Sequence, residues 1–261
     1  MKNALIAILL ITPVFALLGT MIVNNKMAFF SDGLGHSAFT GIAIGVIVGL
    51  RDPLISMVIF AVVIGVSFCV IKKITRFSAD TIIGVFSATT VALGVVILSQ
   101  GGGFSRYSNF LIGDILSISV TEIAGLSVVL LLVLLYWFLF FNKLFLVSIN
   151  QVLAKSRGIG VLLTEVLFVT LVAIIVTITI QWVGILVINA LLILPAAAAR
   201  NLAQNIKSYN LMAVIISMSA GLAGLMLSYY WGTASGATIV LCNAVLFLGT
   251  LLLRYRVLRQ A

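Results

Sequence analysis

Acidic residues are nearly missing from this chain. Only six of its 261 residues are Asp or Glu, against 15 Lys and Arg and a single His, and charged residues of both signs make up 8%. A soluble domain carries roughly a quarter of its residues charged, so a water-facing surface of ordinary extent is excluded. Cysteine is reduced to Cys69 and Cys242, both inside apolar stretches and far apart in sequence. That spacing excludes a disulfide framework and a zinc finger, and leaves two small buried hydrophobes. No GxxxxGK[ST] phosphate loop occurs, nor even a Gly-Lys dipeptide, so the chain does not bind ATP in the phosphate-loop manner. One histidine cannot build a multi-histidine catalytic metal centre, and no Ser/His/Asp set is apparent. A membrane enzyme therefore lacks a catalytic constellation.

What the chain has is apolar length. Hydrophobic residues make up 63%, and the mean hydropathy is +1.33. The apolar runs are about 20 residues long, the length an α-helix needs to cross a hydrocarbon core, whereas a membrane β-barrel would show short alternating segments. The pattern predicts an all-α, polytopic transmembrane protein forming one domain over 1–261. Nine spans are expected, near 4–23, 28–50, 54–71, 80–98, 120–141, 161–180, 183–199, 211–230 and 235–253. The division between the sixth and seventh is the weakest, marked only by Gln181 and Trp182, and merging them leaves eight spans. The N-terminal stretch resembles a secretory signal, with Lys2 before an apolar run and Val14-Phe15-Ala16 as a weak cleavage site. The run continues to Val23, however, and is long enough to span.

The net charge of +9 is topological rather than a nucleic-acid signature. With the N-terminus outside, alternation leaves only Lys2, Arg51 and Arg106 on the outer side and the other 12 of the 15 basic residues in the cytoplasm. This is the positive-inside bias, and it supports an odd number of spans.

The second span holds the unusual chemistry. In Met27–Gly49, Asp32, His36 and Thr40 recur at i, i+4 and i+8, so on a helix they form one polar stripe. Beside it runs a stripe of small residues, Gly33, Ser37, Gly41, Gly45 and Gly49, a smooth face for another helix. A start near Met27 puts His36 about 13 Å into the helix, near the midplane of a core about 30 Å thick. An ionisable group there marks a pathway unless it is locally satisfied. A carboxylate oxygen with an imidazole nitrogen suits Zn²⁺ or Mn²⁺, and two donors favour transient passage over storage. The same pair also fits a proton relay, or a helix cap in which Asp32 precedes a helix starting at Gly33 and bonds His36. If two copies met along the small stripe, their pairs would supply four ligands to one pore.

The other acids have ordinary readings. Asp52, before Pro53, and Asp80, after Ser78, fit helix capping. Glu122 sits in the first turn of the fifth span, Asp114 fits the cap of a short outer helix, and Glu165 lies one turn into the sixth span, within reach of Arg157 or water. The outer segment 99–119 combines Gly101, Gly102 and Gly103 with an apolar patch at Phe110–Ile112, as for a helix at the membrane surface. The cytoplasmic connection 142–160 mixes Lys155 and Arg157 with Val147, Ile149, Val152 and Leu153, an amphipathic pattern that fits docking on another protein or resting on anionic lipid. In Gly184–Arg200, Pro195 interrupts a helix before four alanines, as a hinge or as a packing kink.

Five blocks carry a family resemblance: FFSDGLGHSAFTGIAIG at 29–45, ADTIIGVFS at 79–87, FLIGDILSIS at 110–119, GILVINALLILPAAAAR at 184–200 and SGATIVL at 235–241. With them the chain resembles, over nearly its whole length, the membrane permease of bacterial divalent-metal ABC importers that take up zinc, manganese or iron. The resemblance implies a permease homodimer in the cell membrane, two ATP-binding cassette subunits that hold the ATP, and an extracytoplasmic metal-binding protein. It implies no permanently bound cofactor, only the ion in transit, with Asp32 and His36 lining the translocation path. The family's cytoplasmic coupling pattern D-x-x-x-A-x-x-x-G falls on Asn150, Ala154 and Gly158, with Asn in place of Asp. Zinc is preferred on the overall likeness to zinc permeases. Transport by alternating access is then expected, with a proton-coupled secondary transporter using Asp32 and His36 as the alternative.

Overall fold

The computed structural model describes residues 1–50, 52–101 and 115–260. Arg51, Arg106, Asp114 and the patch Phe110–Ile112 lie outside the described residues, and with them most of the expected outer surface helix. Among the described residues there are ten α-helices and no strand: α1 (Lys2–Asn24), α2 (Phe30–Val48), α3 (Pro53–Ile74), α4 (Ala79–Gly101), α5 (Val120–Ile149), α6 (Gln151–Ser156), α7 (Val161–Val183), α8 (Ile185–Leu202), α9 (Ile206–Trp231) and α10 (Ser235–Gln260). A single 3₁₀ turn, Ile115–Ser117, precedes α5.

All of the helices except α6 are long, and each answers to one expected span. Eight are long and apolar enough to cross a membrane. The ninth long helix, α2, is not among the eight, because Asp32, His36 and its serines, threonine and glycines dilute the apolar residues. The polypeptide is a multi-pass membrane protein.

Local chemistry sets most boundaries. Asp52 caps α3, its carboxylate accepting from the Leu54 amide at 2.9 Å with Pro53 at the first helical position. Ser119 and Glu122 form a reciprocal capping box at the start of α5, with Ser119 N to Glu122 Oε2 at 2.7 Å. At α4 the hydroxyl of Ser78 takes the Thr81 amide, leaving Asp80 in the first turn, where its charge faces the positive end of the helix.

Of the boundaries that differ from the sequence expectation, three bear on the connections and on the second span. The break between the sixth and seventh spans is at Gly184, whose φ of 86° is open to glycine and strained for other residues. Gln181 and Trp182 are both helical in α7. α5 runs on to Ile149 rather than ending near 141, because Asn142 and Lys143 interrupt its apolarity without breaking its backbone, and Leu144 and Val147 beyond them are buried. The connection expected on the cytoplasmic side therefore shrinks to residues 150–160, with α6 inside it. α2 starts at Phe30, three residues later than assumed, so His36 lies about 9 Å from the helix start instead of 13 Å.

The backbone groups into two compact units. One contains Met1–Val23, Asp114–Phe138 and Trp182–Ala261; the other contains Asn24–Gly113 and Leu139–Gln181. In the first, α8, α9 and α10 pack on one another, and Ala16, Ala199, Tyr209 and Ala213 form a closed cluster. Pro195 is buried within α8. Gly19 of α1 lies where the backbone of Leu192 passes, and a β-carbon there would come within 2.8 Å of the Leu192 carbonyl carbon. The alanines after Pro195 serve close helix packing, as small residues do where lipid supplies no hydrophobic drive between helices. In the second unit α2 packs against α3 and α4.

Candidate functional site

From Phe30 to Ala43, every residue of α2 is buried except Asp32 and His36. The glycines explain the closure. A β-carbon at Gly41 would sit 2.6 Å from the Cα of Met57, and one at Gly45 would overlap the Ser56 hydroxyl, so the backbones of α2 and α3 touch along this face. Gly33 meets the Ile83 side chain of α4 at 3.1 Å in the same sense. The small stripe is therefore occupied within the chain by α3 and α4, and the reason to place a second copy against it is gone. Thr40 also leaves the polar stripe, for it is 1% exposed and its hydroxyl donates to the Thr90 carbonyl of α4.

What stays open is the pair. His36 Nε2 and Asp32 Oδ2 are 3.5 Å apart, with side chains 42% and 46% exposed. Asp32 is the third residue of α2 and does not cap it; the cap position is Phe29, with no side-chain cap bond. Two donors about 2.1 Å from one zinc ion at a tetrahedral angle are separated by about 3.4 Å. The observed spacing is close to that chord, so small rotations of the two side chains let both reach one ion. Among the described residues no group of three or more His, Cys, Asp and Glu side chains converges. Asp32 and His36 thus stand as two donors with no third His, Cys, Asp or Glu grouped with them among the described residues.

The second candidate region is α6. Asn150 caps it, its side-chain oxygen accepting from the amides of Val152 at 2.9 Å and Leu153 at 3.1 Å. Ala154 is fully buried and fixes one face of the helix. Gly158 follows with φ 73°, the left-handed conformation that turns the chain away after the last helical turn. The three residues matched to the coupling pattern are thus a cap, a packing contact and a turn. Ile149, Val152 and Leu153 are 64%, 77% and 43% exposed, an apolar patch where α5 passes into α6. Val147, expected to belong to it, is buried at the end of α5.

Glu165 has partners other than Arg157. Its Oε1 lies 3.3 Å from Lys72 Nζ of α3 and accepts from Gln151 Nε2 of α6 at 3.2 Å. Charge alternation already placed the end of the third span and the start of the sixth on one side, which was the available signal for a Lys72–Glu165 pair. Gln151, a neutral residue in a loop, gave none. Gln181, expected at a turn, instead donates to the Met57 sulfur at 3.7 Å from inside α7.

Known proteins resemble this chain along its length. It is 32% identical over 258 residues to the high-affinity zinc uptake system membrane protein ZnuB of Haemophilus influenzae, covering 97% of each chain. It is 29% identical over 248 residues to the manganese import system permease protein ScaB of Streptococcus gordonii, covering 95% of this chain and 89% of the relative. Among solved structures, PsaBC from Streptococcus pneumoniae in complex with Fab matches with a TM-score of 0.81 and 29% identity over 95% of this chain and 90% of the other. The model of the ABC 3 transport family matches residues 1–254, and the chain belongs to that family.

Proposed function

We propose that this chain is the permease subunit of an ATP-driven importer that moves a divalent transition-metal ion across the bacterial cell membrane, zinc first and manganese or iron next. The observation that carries the reading is the Asp32–His36 pair, the two open residues on an otherwise buried stretch of α2, in a chain whose relatives are named for zinc and manganese import. An ionised carboxylate inside a membrane is costly even beside an imidazole, and a passing cation is one partner that offsets the cost. The preference for zinc rests on the likeness to relatives named for zinc uptake.

In this reading two copies of the chain pair with two ATP-binding cassette subunits, and a metal-binding protein outside delivers the ion. The N-terminus is outside and the C-terminus cytoplasmic. The ion exchanges its carrier's ligands for Asp32 and His36, then leaves inward. The ATPase acts on α6, where Asn150, Ala154 and Gly158 present the Val152–Leu153 patch. Pro195 is the hinge of α8: the proline leaves the Leu191 carbonyl without its helical amide partner, so bending there breaks no further hydrogen bond. No cofactor stays bound.

The test is metal uptake by proteoliposomes holding the complex of this chain with its ATPase and binding protein, compared across Zn²⁺, Mn²⁺ and Fe²⁺. Uptake is expected only with ATP, and fastest for Zn²⁺. Uptake by this chain alone under an imposed proton gradient would instead identify a secondary transporter with Asp32 and His36 as its relay.

A further inference from the structure

Three helices meet at one carboxylate oxygen. Glu165 Oε1 takes Lys72 from the end of α3 and Gln151 from the first residue of α6, and Glu165 itself belongs to the second turn of α7. Its side chain is only 14% exposed and that of Lys72 23%. Hydrogen bonds to an ionised acceptor are roughly twice as strong as neutral ones, and a partly buried pair is screened less than a surface pair.

The surroundings give this node its meaning. A cavity of about 420 Å³ opens beside it, lined by Lys72, Lys73, Gln151, Lys155 and Glu165 together with apolar residues at the start of α7. α6 is therefore not packed down onto α3 and α7 along this side. Within α6, only Ala154 is buried. Besides its continuity with α5 and the packing of Ala154, the first turn of this six-residue helix is tied to α7 by the side-chain bond from Gln151 to Glu165.

We infer that Glu165 is the positioning residue through which displacement of α6 reaches α3 and α7, so that ATP hydrolysis is converted into transport. This rests on the reading of α6 as the surface on which the ATPase acts. Lys72 has two roles in it: it is the charged partner of the Glu165 carboxylate, and it carries the connection into α3, the helix whose Ser56 and Met57 pack against α2.

The quantity to measure is metal transported per ATP hydrolysed by the reconstituted complex, alongside assembly and ATP hydrolysis rate. Gln151→Ala removes the α6 link at an exposed position and leaves the Lys72–Glu165 pair in place, so folding is spared. The ratio is expected to fall by about 2- to 30-fold, the span for substitutions along a coupling route, with assembly and hydrolysis retained. Glu165→Gln should act in the same direction. The exchanged pair Lys72→Glu with Glu165→Lys should recover much of the ratio, because the Gln151 amide can accept from a lysine as readily as it donates to a carboxylate. An unchanged ratio in both Gln151→Ala and Glu165→Gln overturns the inference alone. A wild-type complex that takes up no metal with ATP overturns the importer reading and this inference with it.

Discussion

Every side chain of α2 from Phe30 to Ala43 is buried except Asp32 and His36, whereas every side chain of α6 from Gln151 to Ser156 is exposed except Ala154. The two helices are inverses in chemistry as well. α2 is enclosed by backbone contact through its glycines and leaves polar atoms open; α6 is fastened by polar atoms, those of Asn150 and Glu165, and leaves apolar side chains open. Within a membrane, close approach of small residues is what holds helices together, and it leaves little play. Hydrogen bonds at the ends of a short helix locate it while letting it move. Under the proposed function, two donors that must reach one ion need the first kind of support, and a surface pushed by a partner needs the second.

The sharpest way to break this contrast is to remove a donor. His36→Ala leaves the packed faces of α2 untouched and is expected to lower ATP-dependent zinc uptake by at least about 100-fold, since loss of mere supporting groups around a metal already costs 10- to 100-fold. Assembly with the ATPase should be unaffected. Uptake near the wild-type rate would remove Asp32 and His36 from the path. A smaller effect is expected from the packing itself. Gly41→Ala drives a methyl group to within 2.6 Å of the Met57 backbone, which should destabilise the protein by about 1–3 kcal/mol, seen as earlier thermal unfolding in detergent. Gly84→Ala on α4 is the control: nothing lies within 4 Å of the added carbon, and the gain in helix propensity should stabilise by up to about 1 kcal/mol. Equal behaviour of the two variants would mean that α2 is not held by close approach.

The long helices were legible because each apolar run is bounded by charge, glycine or proline, and a lipid environment leaves a chain little alternative to helix. The stripes on α2 were legible for the same reason, since i+4 spacing puts Asp32 with His36 and Gly41 with Gly45 on any helix. Partners were not legible. Periodicity says that Gly41 lies on a smooth face, but not that Met57 rather than a second copy fills it. It likewise put Thr40 on the polar stripe, where only the position of the Thr90 carbonyl on α4 takes it away. Glu165 could be placed near a membrane edge but not assigned to Lys72 and Gln151, residues 93 and 14 positions away. Boundaries failed where one backbone angle decided them, as at Gly184, or where two polar residues interrupted a helix that burial of Leu144 and Val147 continued.

The smallest effect separates capping from charge at the coupling pattern. Asn150 stands where the resembled family carries Asp, and its side-chain oxygen takes two amides of α6. A carboxylate offers the same oxygen in the same place, and Asn and Asp cap helices about equally well. Asn150→Ala removes both bonds and is expected to destabilise α6 by about 1 kcal/mol, read as faster amide hydrogen exchange at Val152 and Leu153, with long helices such as α2 unchanged because α6 contributes little burial. Asn150→Asp should leave that exchange within experimental error of the wild type. If Asp instead changed transport per ATP while the exchange rates held, the charge at this position would act on the partner and not on the helix. The contrast with α2 would then narrow, because α6 too would present a functional polar group rather than an apolar patch located by polar bonds.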